Sequence, residues 1–109
     1  MISSNGITTG SLTAANQAVT VNANTDELVG VQITGTFVGT VTFEATVDGT
    51  TWVATAMYAA ATPTTIVTTA TAAGLWRGTV APFSQFRVRC SAYTSGTIVV
   101  SVIEAVTGR

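Results

Sequence analysis

Gln85-Phe86-Arg87-Val88-Arg89-Cys90-Ser91-Ala92 decides the fold. Apolar Phe86, Val88, Cys90 and Ala92 alternate with Gln85, Arg87, Arg89 and Ser91. Side chains of a strand point alternately to its two faces, so a period of two marks a strand with one face buried. A helix of this sequence would scatter the arginines among the apolar residues.

The same period recurs on both sides of this stretch. Upstream, Val19 and Val21 alternate with Thr20 and Asn22, and Val29, Val31 and Ile33 with Gly30, Gln32 and Thr34. Val41, Phe43, Ala45 and Val47 alternate with Thr42, Glu44 and Thr46. Asp48-Gly49 follows at once, a pair suited to the positive φ angles of a hairpin turn. The chain then returns through residues 52–57, with either Trp52, Ala54 and Ala56 or Val53, Thr55 and Met57 facing in. Ile66 to Thr69 and Leu75 to Val80 read as further strands. Pro63 and Pro82 stand where a central strand is forbidden. Downstream, Tyr93-Thr94-Ser95-Gly96 reads as a turn, and Ile98, Val100 and Val102 alternate with Val99, Ser101 and Ile103. This last strand is apolar on both faces, so one face is left over for a covering loop or another subunit.

About eight short strands with turn signals near every ten residues predict an all-β domain, a single antiparallel β-sandwich or jelly roll. It occupies residues 17–109. Residues 1–16 are rich in Ser, Thr, Asn, Gly and Ala, with isolated Ile2, Ile7 and Leu12. They read as an extended N-terminal arm with little core of its own, able to order against a neighbour. Removing residues 1–14 is then expected to leave a folded domain but to weaken assembly. Trp52, just after the Asp48-Gly49 turn, is expected to plug one end of the core.

The chain of 109 residues is 47% hydrophobic and 8% charged, with net charge −1. An average soluble domain has about 25% charged residues, so hydroxyls rather than charges keep this surface wet. The cations are Arg77, Arg87, Arg89 and Arg109. They are too few for a phosphate-binding patch, and no nucleic-acid partner is expected. No apolar stretch approaches the length of a membrane span. The first residues lack the basic and apolar regions of a signal peptide, and no export by that route is expected.

The chemical inventory is thin. With no histidine there is no imidazole base and no Ser-His-Asp triad. The single Cys90 has neither a disulfide partner nor an activating histidine and reads as a buried thiol. Glu44 and Asp48, four residues apart, stand about 13 Å apart on an extended strand at ~3.3 Å per residue, too far for a catalytic pair. Asp26 and Glu27 share a loop, but no metal site and no cofactor are expected. The chain is read as non-enzymatic. The contact candidates are Ile2, Ile7 and Leu12 in the arm, Trp76 with Arg77, and Arg87 with Arg89. Glu44 is placed to pair with one of these last two across the sheet. Asp48, Gly49 and Trp52 are read as turn and structural residues.

Two longer stretches carry a resemblance. One runs from Gly35-Thr36-Phe37-Val38-Gly39-Thr40 through Val41 to Asp48-Gly49-Thr50-Thr51-Trp52. The other runs from Gly74-Leu75-Trp76-Arg77 through Phe83-Ser84-Gln85-Phe86-Arg87-Val88-Arg89 to Tyr93-Thr94-Ser95-Gly96-Thr97. Together they resemble small β-sandwich structural proteins of tailed bacteriophages, among them capsid decoration or cement proteins and fibre parts. The Asp-Gly-x-x-Trp turn is also similar to the hairpin of galactose-binding-like jelly rolls. The resemblance implies a virion protein assembled in the host cytoplasm, a major capsid protein or other virion protein as partner, and a homo-oligomer, with a trimer favoured. A tail, fibre or baseplate part, or a carbohydrate-binding module that displays Trp76 and Tyr93 to host glycans, are the alternatives. The mean hydropathy of +0.50 suits a chain that lives in contacts rather than free.

Overall fold

A computed structural model describes residues 3–23, 28–80 and 82–106, with side chains from residue 7 to 105 within those ranges. Ile2, Asp26, Glu27 and Arg109 lie outside the described residues. The described chain forms eleven strands and no helix. They are β1 (Ser3–Leu12), β2 (Ala18–Asn22), β3 (Leu28–Thr34), β4 (Phe37–Thr46), β5 (Val53–Ala54), β6 (Met57–Ala59), β7 (Ile66–Val67), β8 (Thr69–Ala70), β9 (Gly74–Thr79), β10 (Gln85–Gly96) and β11 (Ile98–Val106). One sheet has the order β1-β11-β3-β9-β6-β7, the other β2-β10-β4-β5, with β8 also paired to β4. Every pairing is antiparallel. This is the expected all-β sandwich.

The periodic stretches land where the alternation puts them. β10 buries Phe86, Val88 and Cys90, and β4 buries Val41, Phe43 and Ala45. The facing sheet contributes Val29, Val31 and Ile33 from β3 and Ile98, Val100 and Val102 from β11. These two inner faces form one apolar core. Each of these Val, Ile and Phe side chains contributes roughly 1.5–3 kcal/mol on burial.

Eight expected strands become eleven for three reasons. The return after Asp48-Gly49 divides: β5 stays on β4, and β6 crosses to the other sheet beside β9. The stretch from Ile66 to Thr69 divides likewise, β7 pairing with β6 and β8 with β4. Neither alternative for the return strand holds throughout, because Val53 is exposed in one sheet and Met57 is buried in the other.

The third addition is β1. The segment expected as an arm is extended, but it is a strand of the six-stranded sheet, paired with β11 from Ser3–Val106 to Leu12–Ile98. Leu12 is fully inside the core. Gly10 lies so close over β2 that a Cβ there would stand 2.7 Å from Val19 Cγ2.

Two turns also differ. The loop after β4 is not a two-residue hairpin. Asp48 Oδ1 accepts hydrogen bonds from the backbone N–H groups of Thr50 and Thr51, both at 2.8 Å, and Gly49 takes the positive φ of 83°. The side chain thus organises a wider loop. Tyr93-Thr94-Ser95-Gly96 belongs to β10, which bends at two register shifts on β4 and reaches Phe37. The reversal falls at Gly96, whose φ is 89° and where a Cβ would meet Thr36 O at 2.1 Å.

Two outcomes are expected. Deleting residues 1–12 removes a core leucine and uncovers one edge of β11, so urea titration shows a loss of about 3 kcal/mol or more. Cys90 is fully buried, its thiol donating to Ala92 O at 3.3 Å, and burial pushes the thiol pKa up. A thiol reagent leaves it unmodified in the native protein, and Cys90→Ser costs roughly 1–3 kcal/mol in the same titration.

Candidate contact surface

The two outer faces of the sandwich differ in chemistry. On the β2-β10-β4-β5 sheet, Glu44 is opposite Arg87. Arg87 Nε donates to Glu44 Oε1 at 2.7 Å, and Arg89 Nε donates to the same oxygen at 3.0 Å. Arg89 also donates to Glu44 Oε2 at 3.2 Å and to Asn16 Oδ1 at 3.0 Å. The Arg87 guanidinium lies over the Trp52 ring, 4.2 Å from its centroid, a cation–π contact. Glu44 is left only 7% exposed although it points outward. Trp52 therefore does not plug the core; it caps a charge cluster on the outside.

This cluster is self-satisfied. Burial alone would raise the Glu44 pKa, but hydrogen bonds from Arg89 and Arg87 and their positive charges hold it below its ordinary value. The Asp48 carboxyl is held low as well, by the backbone N–H groups of Thr51 and Thr50. Arg87 and Arg89 are thus spoken for within the fold, which weakens them as docking residues.

The outer face of the six-stranded sheet is different. One transverse row crosses all six strands: Ile7 opposite Ile103, Ile103 opposite Gly30, Gly30 opposite Arg77, Arg77 opposite Tyr58, and Tyr58 opposite Ile66. Ile7 is 68% exposed, Ile66 59%, Tyr58 44% and Ile103 42%. Leu75, beside this row, is 53% exposed. Gly30 leaves a shallow depression of about 180 Å³ between Ile7, Ile103 and Leu75, and Ile103 leans over it, 3.2 Å from where a Gly30 Cβ would stand. Arg77 is the one charge on this face among the described residues. The second face of β11 is therefore not covered by a loop.

The contact candidates separate accordingly. Ile7 and Arg77 are brought together on this row. Arg87 and Arg89 lie on the opposite face. Leu12 is core. Trp76 points inward and meets Phe43 with ring centroids 5.7 Å apart, tilted by 48°. It fills the place expected of Trp52. Residue-by-residue reading missed Ile103, Leu75 and Ile66, although the two-faced apolarity of Ile98 to Ile103 pointed to the first. Among the described residues no three His, Cys, Asp or Glu side chains gather as a metal site.

Two solved structures share this fold. The SPBc2 prophage-derived protein YomS superposes with a TM-score of 0.72 at 12% identity, over 92% of this chain and 96% of that one. The PBSX exported protein XepA superposes with a TM-score of 0.75 at 15% identity, over 93% of this chain and 39% of that one. At such identities the likeness is one of fold. No family model matches the sequence, and no curated protein matches it.

The two depressed carboxyls set the pH response. Each binds its proton less readily folded than unfolded, so its stabilisation is complete above the unfolded values of 4.5 for Glu44 and 3.8 for Asp48. It is lost as pH falls through the lower folded values. With no histidine to titrate, urea midpoints are expected to stay level from about pH 7 to pH 5 and to fall below about pH 4.5.

Proposed function

We propose that this chain is a non-enzymatic virion structural protein, a decoration or cement subunit that docks on the outer capsid surface of a tailed phage. The observation that carries the reading is the uncovered apolar row from Ile7 to Ile66. Scattered surface leucines need no explanation, but a row of exposed apolar side chains across six strands marks a contact; Arg77 within the row, and Gln32 and the Thr9–Ser101 pair beside it, are its polar members. The opposite face, closed by Glu44 with its two arginines and Trp52, shows that this sequence can finish a sheet face with polar pairs. A fold shared with a prophage-derived protein supports the phage setting, as does the sequence resemblance.

The mechanism is mechanical. Apolar area buried against the shell stabilises the contact by about 25 cal/mol per Å² before binding costs. A subunit bridging two capsid proteins adds that energy to what internal DNA pressure must overcome. Arg77, alone among apolar neighbours, orients the docking toward an acidic group on the shell. The glycan-binding alternative is weakened, because Trp76 is turned into the core and the Tyr93 hydroxyl donates to Gly96 O at 2.8 Å. A tail or fibre part would use the same face on a different partner.

The test is co-sedimentation of the purified protein with capsids assembled without it. Saturable binding is expected, weakened at least about tenfold (1.4 kcal/mol) by Ile103→Asp, with circular dichroism unchanged. Binding indifferent to Ile103→Asp would remove the face from the proposal. A protein that ignores capsids and sediments with tails would move it to the tail.

A further inference from the structure

The two sides of the sandwich are finished in opposite ways. On one side the outermost strands are β7, β5 and β8, each two residues long, and Pro63 stands in the loop before β7. Very short edge strands and proline are how sheet proteins keep an edge from pairing with another chain. On the other side both sheets end in longer strands, β1 with ten residues and β2 with five. Among the described residues β1 pairs only with β11 and β2 only with β10, so each has one row of backbone groups facing away from its sheet. The two edges lie together, since β1 turns into β2 and Gly10 packs on Val19. Residues 1–25 contain no charged residue and no proline. The register shift in β1 lies at Ser4–Ile7, and pairing is regular from Ile7 to Leu12.

We propose that β1 is a pairing edge and that it adds antiparallel to β1 of a second copy. The occupant follows from three features. An edge without charge offers an unlike partner nothing to be selected by, whereas the backbone ladder is satisfied by any extended strand. An antiparallel pair of identical strands is related by a two-fold axis, the self-complementary contact that most homodimers use. The third feature is area. The four longer strands of this face, β1, β11, β3 and β9, have 10, 9, 7 and 6 residues; about 4.8 Å apart, and with β6 and β7 beside them, they span on the order of 600 Å². A stable interface takes about 800 Å² per partner. Pairing through β1 keeps both of these faces on one side and doubles the area presented. The working form is then a two-fold pair, in place of the trimer implied by resemblance.

The experiment measures solution mass by light scattering over a range of concentrations, without capsids, so that failure of the docking reading leaves it unaffected. The expected mass is about 22 kDa, twice the 11.1 kDa of the chain. Thr8→Lys, which puts a charge on the edge, is expected to give 11.1 kDa with an unchanged circular dichroism spectrum. Ile66→Lys, on the far edge, is expected to leave the pair intact. Hydrogen exchange on the unaltered chain is the second readout. The β1 amides facing away from β11 are expected to exchange at least tenfold faster on dilution into the monomer, which decides the matter if Thr8→Lys does not fold. A monomer at every concentration, an assembly of three or more copies, or a pair lost in Ile103→Asp but kept in Thr8→Lys would overturn the proposal. So would rapid exchange of those amides within a pair.

Discussion

The ladder between β4 and β10, running from Thr46–Gln85 to Phe37–Gly96, is the pairing on which the rest depends. Its register puts Phe43 beside Val88 and Ala45 beside Phe86 on the inner face. It puts Glu44 beside Arg87 on the outer one. A slip of β10 by one residue would turn its two faces over, burying both arginines and exposing Phe86, Val88 and Cys90. The core and the outer charge cluster are thus two results of one register. β10 also bends along β4 and hands the chain, through Gly96, to β11 at the heart of the other sheet.

What the sequence made legible follows from this. Where Arg or Glu alternates with Val, Phe or Cys, as in Arg87 to Cys90, only one register avoids burying charge, and the strand reads itself. β1 has no such contrast. Thr8, Gly10 and Leu12 share one alternation and Ile7, Thr9 and Ser11 the other, and hydroxyls and glycine suit either face. Its identity as a strand comes from β11, a partner more than 80 residues away in the chain. Local pattern carries no trace of that pairing.

The two tryptophans show a signal that was present but unused. Neighbours on a strand face opposite ways. Arg77 is best placed outward, so Trp76 must face in, with Gly74 and Gly78 on the same side. Gly78 has no room for a side chain, since a Cβ there would stand 2.5 Å from Met57 Sδ, so the small residues beside the indole are a packing requirement. Trp52 is a different case. It lies in the loop between β4 and β5, where no period applies, and its partner Arg87 is set by the three-dimensional path of the loop organised by Asp48. The apolar face was half legible: Ile7 and Arg77 were each readable, but their shared row is a product of strand order.

The pairing of β1 with β11 sets Ser3 beside Val106, so the two ends of the described chain leave from one corner of the sheet. Tension applied between those ends would part the β1–β11 ladder like a zipper, one hydrogen bond at a time, and meet little resistance. A stress that spreads a surface beneath the apolar row meets a different geometry. It pulls across six strands at once, and the ladders and the core beneath them share the strain. As a mechanical part, this protein is soft when pulled by its ends and stiff when gripped by its face.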